Sequence, residues 1–361
     1  MERPRLGFEG EGRIERSLSL TSKNLISILS FLSPSEIHMK RDNLADRLLD
    51  AIDEKRNPSV VGLDPRLWRI PEHIKREAKE KTNNPFEAAG RAIVKFNEGI
   101  IDAIYDIVPA VKPQVAFYEK YGFEGIKAFK ETINYAKEKG LIVIEDVKRN
   151  DIGSTAKAYA SAHLGEVDMI DGEALSFDGD MVTVNPYLGY DGIKPFVEVC
   201  EEYGKGLFVL NKTSNPSSTE LQDLVTDDNK SIYEVMAELI NEWGKDLIGE
   251  RGYSSVGAVV GATYPEEAEK LREIMDNNLF LVPGYGSQGG TADDVIPCFN
   301  EDGYGAIVNS SRGIDYAYEK EPFAERFGPE EFDKASRKAV LVMKEDIMDS
   351  LERGDKVPKD W

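Results

Sequence analysis

The sequence predicts a TIM (β/α)8 barrel, in which eight parallel strands alternate with helices and close into a cylinder. The first observation is a rhythm: from Met39 onward, short apolar runs rich in β-branched residues are each followed by a polar turn and an amphipathic stretch. The second is that polar side chains stand where these runs end, and active sites of such barrels lie there. The third is size, because 361 residues, 41% of them apolar, can form a core this large.

Eight apolar runs are the predicted strands, and they follow one another at the spacing of a barrel. They cover residues 59–65, 110–118, 141–149, 181–187, 206–214, 255–264, 278–286 and 304–313. Amphipathic segments such as 123–139 and 264–275 supply the helices between them. A doubly wound sheet is the competing fold, but it usually has fewer strands and often a GxGxxG motif after the first strand, which this chain lacks.

Residues 1–38 differ from the rest, since they mix basic, serine-rich and short apolar pieces without this rhythm. We expect an N-terminal extension that is disordered or reflects a mispredicted start, with Met39 as a plausible natural first residue. An organelle transit peptide is the alternative, favoured by the low acidity of the segment. The barrel domain is predicted to cover residues 39–361.

The composition narrows the classes of ligand. A formal net charge of −21 repels DNA, RNA and anionic membranes at long range, so we expect a small-molecule ligand, no nucleic acid and no membrane partner. The two cysteines and three histidines are scattered without zinc-binding spacing. With no signal peptide and no apolar stretch long enough to span a bilayer, the predicted location is the cytoplasm.

Charged residues at the strand ends form the candidate active site. The segment "EDVKRND" places Asp146 and Lys148 two apart on the third strand, so both side chains point to one face, and Asp151 follows in the loop. Asp151 and Thr155 are four apart at the start of the next helix and can share a target. The alternative is that these charges only form a structural salt bridge at the end of the strand. Further polar strand ends favour a functional array, and they are Asp64, Lys112, Asn185, Lys212, Ser214, Asn309 and Arg312.

A phosphate site is predicted after the last two strands. The loop "PGYGSQGG" (283–290) has four glycines, which let main-chain N–H groups approach an anion closely. Arg312 follows strand eight and offers a forked cation. This is the usual phosphate-binding corner of a TIM barrel.

The chain from about residue 40 onward resembles the orotidine 5′-phosphate decarboxylase family, in particular its longer subfamily with "DVKRND". The stretches that carry the resemblance are "VVGLDPRL", "VKPQVAFYEKYG", "EDVKRNDIGSTAKAYA", "VTVNPYLGYDGI", "KTSNPSS", "GAVVGATYPEEA", "VPGYGSQGG" and "IVNSSRGI", in this order. The resemblance implies decarboxylation of orotidine 5′-phosphate to UMP and CO₂ in de novo pyrimidine biosynthesis, without metal or cofactor.

The family resemblance also implies roles for individual residues. Lys148 is the proton donor within a charge array with Lys112, Asp146 and Asp151. The implied substrate contacts are Asp64 and Thr155 to the ribose, Ser214 to the pyrimidine, Ile152 as a wall beside the base, and Pro283, Gln288 and Arg312 around the phosphate. A homodimer is implied, in which Asp151 and Thr155 enter the site of the neighbouring subunit. Asn185, Lys212 and Asn309 have no assigned role.

Two other functions compete with this prediction. One is a Mg²⁺-dependent keto sugar-phosphate lyase or decarboxylase, which shares the barrel and the DxKxxD strand but holds its metal with acids on strands two and three. Strand two here carries Lys112, a cation that repels a metal. The other is a non-catalytic nucleotide-binding barrel, which would have no reason to retain buried charges that are costly when unpaired.

Overall fold

Ten strands are present in the computed structural model, which describes residues 42–286 and 289–361. They are β1 (Ser59–Leu63), β2 (Ala110–Pro113), β3 (Ile142–Arg149), β4 (Glu166–Asp168), β5 (Glu173–Leu175), β6 (Met181–Val184), β7 (Gly206–Lys212), β8 (Ser254–Val260), β9 (Asn278–Val282) and β10 (Ala306–Ser310). All except β4 and β5 pair in parallel and close into a barrel in chain order. The predicted TIM barrel is confirmed.

Twelve α-helices accompany the strands in the described part of the chain. They are α1 (Leu44–Lys55), α2 (Glu72–Lys81), α3 (Pro85–Ile104), α4 (Ala116–Glu119), α5 (Gly122–Glu138), α6 (Gly153–Leu164), α7 (Tyr190–Tyr203), α8 (Ile232–Gly244), α9 (Pro265–Ile274), α10 (Ala292–Val295), α11 (Arg312–Asp315) and α12 (Phe332–Arg353). No helix within these described ranges has the length and apolarity needed to cross a bilayer.

Each of the eight predicted apolar runs overlaps one barrel strand, but most runs continue past the carboxyl end of the strand. The last residues of these runs lie in the loops that carry the polar groups, so the apolar pattern and the hydrogen-bonded pairing end at different places. The short hairpin of β4 and β5 was not predicted, because three-residue strands are too short to show a period.

The barrel strands are buried on both faces because helices cover the outside and side chains fill the inside. Helix α1 lies across the amino-terminal end of the barrel. Its Leu44 and Leu48 are fully buried in the core that fills the barrel interior, and its Arg47 pairs with Asp180 directly before β6 at 3.0 Å. Since this end is covered, the opposite end, where the strands terminate, is the one left open for a ligand.

Arg272 on α9 reinforces the same amino-terminal end. It is buried, and its guanidinium donates to the main-chain carbonyls of Met275, Asn278, Cys298 and Gly305 at 2.6–3.0 Å. These carbonyls belong to the segments that lead into β9 and β10. One cation therefore gives a donor to four main-chain acceptors, of which those of Met275 and Gly305 also accept from the N–H groups of Asn278 and Phe280.

Candidate active site

A cavity of about 320 Å³ opens at the carboxyl ends of the barrel strands. Seven of the eleven predicted site residues line it, and these are Asp64, Lys112, Asp146, Lys148, Ser214, Pro283 and Arg312. They come from six different strands or the loops after them. The barrel therefore brings together side chains that are almost 250 positions apart in the chain.

Asp146 is the centre of the charged group. Its Oδ1 accepts from Lys148 Nζ at 2.5 Å and from Thr183 Oγ1 at 3.0 Å. Its Oδ2 accepts from Lys112 Nζ at 3.0 Å and from Gln114 Nε2 at 2.8 Å. Both oxygens are thus used twice, and two of the four donors are ammonium groups.

This arrangement keeps the carboxylate and the buried lysine charged. Burial opposes ionisation of Asp146, but the charges of Lys112 and Lys148 outweigh it and hold its pKa far below the usual range. Burial likewise opposes the charge on Lys112, yet the carboxylates of Asp146 and Asp64 raise its pKa. The site therefore carries fixed charges at neutral pH in a region with little water to screen them.

A bulge in β3 gives Asp146 and Lys148 their positions. The pairing of β3 with β6 shifts register between Glu145 and Arg149, and Lys148 has a positive φ of 45°. Thr183 Oγ1 fills the bulge, because it accepts from the N–H groups of Val147 and Lys148 at 3.0 and 2.9 Å. The two charged side chains meet as predicted, but through this irregularity rather than through regular strand alternation.

The two lysines differ in access to the cavity. The side chain of Lys112 is 6% exposed, whereas that of Lys148 is 46% exposed. Lys148 can therefore reach a bound molecule, and Lys112 supports the array from within the barrel wall.

Asp64 ends β1 at the edge of the same cavity. Its Oδ1 is buried and accepts no hydrogen bond from the described residues. Burial and the charge of Asp146 raise its pKa, while Lys112 and a hydrogen bond from Ser311 act in the opposite direction. A buried carboxylate oxygen that faces a cavity without a partner is suited to accept from a ligand hydroxyl.

Three predicted site residues lie outside this cavity in the single chain. Asp151 follows β3, and its Oδ1 accepts from the N–H of Ile152. Ile152 is 53% exposed, and Thr155 in the first turn of α6 is also exposed. None of the three lines the space beside Lys148.

Residues of the predicted phosphate site lie at the ends of β9 and β10. Pro283, Gly284 and Tyr285 line the cavity, and Arg312 begins α11 on the neighbouring segment. Gly284 has a φ of 109°, a conformation that glycine adopts without strain. Tyr285 Oη donates to Asp346 on α12 at 2.6 Å, which ties the loop to that helix. Gln288 lies outside the described residues, as do residues 1–38.

Several site residues were missed from the sequence. Gln114 is two residues after Lys112, and strand alternation could have placed it on the same face. Thr183 is one polar residue inside an apolar run and gives no signal. Lys212, which had no assigned role, is buried and pairs with Asp223, with its ammonium 4.6 Å from the ring centroid of Tyr264. It fixes the loop after β7 and does not line the cavity.

Metal ligands were also considered. Among residues 42–286 and 289–361, no group of three or more His, Cys, Asp or Glu side chains has a metal-binding arrangement. The polar groups around Asp146 are donors, so its oxygens are already occupied.

Comparison with known proteins identifies the family. The sequence profile of the orotidine 5′-phosphate decarboxylase / HUMPS family matches residues 88–327. The orotidine 5′-phosphate decarboxylase of Caldicellulosiruptor bescii is 45% identical over 305 residues, which cover 84% of this chain and 98% of that protein. The enzyme of Rhodopirellula baltica is 45% identical over 303 residues, with the same two coverages.

Solved structures give the same result. The OMP decarboxylase of Leishmania donovani superposes with a TM-score of 0.64 at 28% identity, over 85% of this chain and 98% of that one. A Streptomyces avermitilis protein assigned to the same activity superposes with a TM-score of 0.68 at 30% identity, over 87% and 98%. The predicted family is confirmed: this chain is a carboxy-lyase and belongs to the orotidine 5′-phosphate decarboxylase / HUMPS family.

Proposed function

We propose that this chain decarboxylates orotidine 5′-phosphate to UMP and CO₂ without metal or cofactor, and that Lys148 is the proton donor. The observation that carries the proposal is the ionised Asp146 between two ammonium groups, of which that of Lys148 is much the more exposed. De novo pyrimidine synthesis is the pathway this reaction serves.

The chemistry requires a cation at the reacting carbon. When the bond from C6 to the carboxylate breaks, its electron pair stays on C6 in an orbital that the ring stabilises poorly. The ammonium of Lys148 stabilises that charge electrostatically and then transfers a proton to C6, which completes UMP. Lys148 regains its proton from solvent afterwards. Asp146 keeps Lys148 charged until the transfer occurs.

The proposal is tested with Lys148→Ala. Turnover, followed by the loss of orotidylate absorbance, should be abolished while the unfolding transition remains cooperative. Lys127→Ala changes an exposed lysine on α5 and serves as the matched control, with unchanged turnover expected. Turnover of Lys148→Ala within about tenfold of wild type would contradict the role of proton donor.

The other predicted site residues are proposed to bind the substrate around the reacting carbon. Asp64 and Thr155 are proposed to bind ribose hydroxyls, Ser214 the pyrimidine, and Ile152 one face of the base. Pro283, Gln288 and Arg312 are proposed to surround the phosphate. Closure of the loop at 283–290 over the phosphate would use binding energy far from C6 to organise the charged groups.

A homodimer with shared sites is the proposed assembly. The exposure of Ile152 and Thr155, and their distance from the cavity of their own chain, support a role in a neighbouring subunit. An isologous interface would return the same residues across the two-fold axis. Each site would then combine Lys112, Asp146 and Lys148 of one chain with Asp151 and Thr155 of the other.

Mixing inactive variants tests the shared site. Lys148→Ala and Asp151→Ala proteins are unfolded together in equal amounts and refolded, so that about half of the dimers are mixed. One site of each mixed dimer carries both lesions and the other carries none, and roughly a quarter of wild-type activity should return. The same experiment with Lys148→Ala and Asp146→Ala is the control and should restore nothing. No recovery in the first mixture, with mixed dimers confirmed by mass, would refute the shared site.

The alternative functions make different predictions. A Mg²⁺-dependent lyase of the same fold would lose activity in EDTA, whereas we expect full decarboxylation after chelation. A non-catalytic nucleotide-binding barrel would bind UMP and turn over nothing. The "DVKRND" subfamily and the cytoplasmic location remain predictions.

A further inference from the structure

One short segment, residues 311–316, holds Asp64 at all three of its polar groups. The N–H of Asp64 donates to Asp315 Oδ2 at 3.1 Å. The carbonyl of Asp64 accepts from Tyr316 Oη at 3.2 Å, and its carboxyl group is hydrogen-bonded by Ser311. The same segment begins with the turn that carries Arg312. The position of Asp64 is therefore fixed mainly by hydrogen bonds to the segment after β10.

Asp315 is the unusual member of this segment. Its side chain is completely buried, and its Oδ1 accepts no hydrogen bond from the described residues. Among these residues it is also in no ion pair within 4.0 Å. An ionised carboxylate in such a place is very costly, whereas a neutral carboxylic acid can remain there and still accept the N–H of Asp64.

The surroundings of Asp315 favour the neutral acid. Burial raises the pKa of Asp315 well above its ordinary value, and the nearby carboxylate of Asp64 raises it further. Lys112 and Arg69 act in the opposite direction. The titratable and charged groups facing Asp315 are Asp64 after β1, Arg69 in the next loop, Lys112 on β2, Tyr118 on α4, the adjacent Tyr316, and Tyr318.

We propose that Asp315, as a neutral carboxylic acid, is a positioning residue that fixes Asp64 for recognition of the ribose. The proposal rests on the function proposed above, in which Asp64 accepts from a ribose hydroxyl. Because Arg312 lies on the same segment, the groups for the ribose and the phosphate are held at a fixed separation. Asp315 touches no substrate in this role.

Two substitutions separate this role from a general structural one. Asp315→Asn keeps an oxygen acceptor for the N–H of Asp64 and is neutral at every pH. Asp315→Leu keeps the branched shape, is larger, and removes the acceptor. The readout is ribose selectivity, defined as the inhibition constant of 2′-deoxy-UMP or 3′-deoxy-UMP divided by that of UMP.

Asp180 provides a matched control. It is also a buried acid whose carboxylate accepts a main-chain N–H, that of Val143 at 3.0 Å, but it lies at the covered end of the barrel. Asp180→Leu should lower stability and leave ribose selectivity unchanged. Asp315→Leu should lower selectivity about tenfold for at least one deoxy analogue and raise KM, while Asp315→Asn should stay within about threefold of wild type.

The outcomes distinguish the two proposals. If Asp64→Ala does not lower ribose selectivity, the proposed contact of Asp64 is wrong. If Asp64→Ala lowers it but Asp315→Leu does not, or if Asp315→Leu lowers only kcat, the positioning role alone is overturned.

A pH series tests the neutral state even if Asp315→Leu fails to fold. Below about pH 4, Asp315 is protonated in both the folded and the unfolded wild-type chain, so the substitution to Asn has its smallest effect there. As the pH rises, the unfolded wild-type chain loses this proton while the folded chain keeps it, so the free energy of unfolding of the wild type falls. The Asn variant has no such proton, and its free energy of unfolding does not fall for this reason. The melting temperature of Asp315→Asn relative to wild type should therefore rise as the pH increases above about 4. A constant difference would overturn the neutral-acid assignment.

Discussion

The hydroxyl of Thr183 is predicted to determine whether the bulge in β3 presents Lys148 correctly. Thr183→Val keeps the shape of this buried side chain and removes only its polar atom. Asp146 then loses one of four donors, and the N–H groups of Val147 and Lys148 lose their acceptor. Without that acceptor, the hydrogen bonds that stabilise the positive φ of Lys148 are lost, and we expect the backbone there to relax.

The expected magnitudes follow from these contacts. A hydrogen bond to a charged group contributes about 1.5–3 kcal/mol, and a buried N–H left without an acceptor costs about 1–3 kcal/mol. Because the strand can relax and the N–H of Lys148 is only partly buried, we expect the free energy of unfolding to fall by about 2–4 kcal/mol in total. We expect kcat to fall roughly 10- to 100-fold, since each 1.4 kcal/mol of lost transition-state stabilisation is a factor of ten.

The assay combines urea unfolding with turnover measured by orotidylate absorbance. Thr132→Val is the matched control, because Thr132 is equally buried, accepts from Asn97, donates to the carbonyl of Ala128 and does not line the cavity. It should lower stability and leave kcat unchanged. The reasoning is refuted if Thr183→Val has kcat within about threefold of wild type, or if both variants lose activity equally.

Three further predictions concern stability and the chain terminus. Arg272→Leu removes a donor from four main-chain carbonyls, of which, among the described residues, only those of Met275 and Gly305 also accept from main-chain N–H groups outside regular strand pairing, and it should lower the free energy of unfolding by more than about 3 kcal/mol in urea titration, with KM unchanged in the fraction that folds. Asp146 has a lowered pKa, so its ion pairs stabilise the fold above about pH 4 and lose that effect as the pH falls; Asp146→Asn should therefore cost more stability at pH 7 than at about pH 3, and an equal cost at both would contradict this. A chain that starts at Met39 should retain the turnover and melting temperature of the full chain, and failure to fold would show that residues 1–38 are structural.

The barrel was predictable because its strands are buried on both faces and therefore appear as continuous apolar runs. The charged site was predictable for the same reason, since Lys112, Asp146 and Lys148 interrupt such runs. Thr183 was not, because a threonine inside a strand is ordinary and its role depends on a bulge in the neighbouring strand. A bulge of this kind depends on tertiary contacts, so it cannot be predicted from the periodicity of the sequence.

Asp315 illustrates a different limit. In the sequence it follows "SSRGI", where an acid beside an apolar residue is typical of an exposed turn. Burial of this acid results from the way α11 folds back over the end of β1, a contact across about 250 positions of sequence. Asp151 precedes α6 and Thr155 lies in its first turn, but sequence spacing could not show that neither residue lines the cavity of its own chain.

The protonation of Asp315 also bears on how an acidic protein accepts an anionic substrate. The formal net charge of the chain is −21, so a substrate with a phosphate and a carboxylate is repelled at long range. In the proposed dimer, the ammonium groups of Lys112 and Lys148 and the guanidinium of Arg312 are balanced by the carboxylates of Asp146, Asp64 and Asp151 of the neighbouring subunit. An ionised Asp315 would make this site net negative. A neutral Asp315 keeps it balanced while still holding Asp64 by its N–H, so we expect the same proton to serve both the proposed ribose contact and the binding of an anionic substrate.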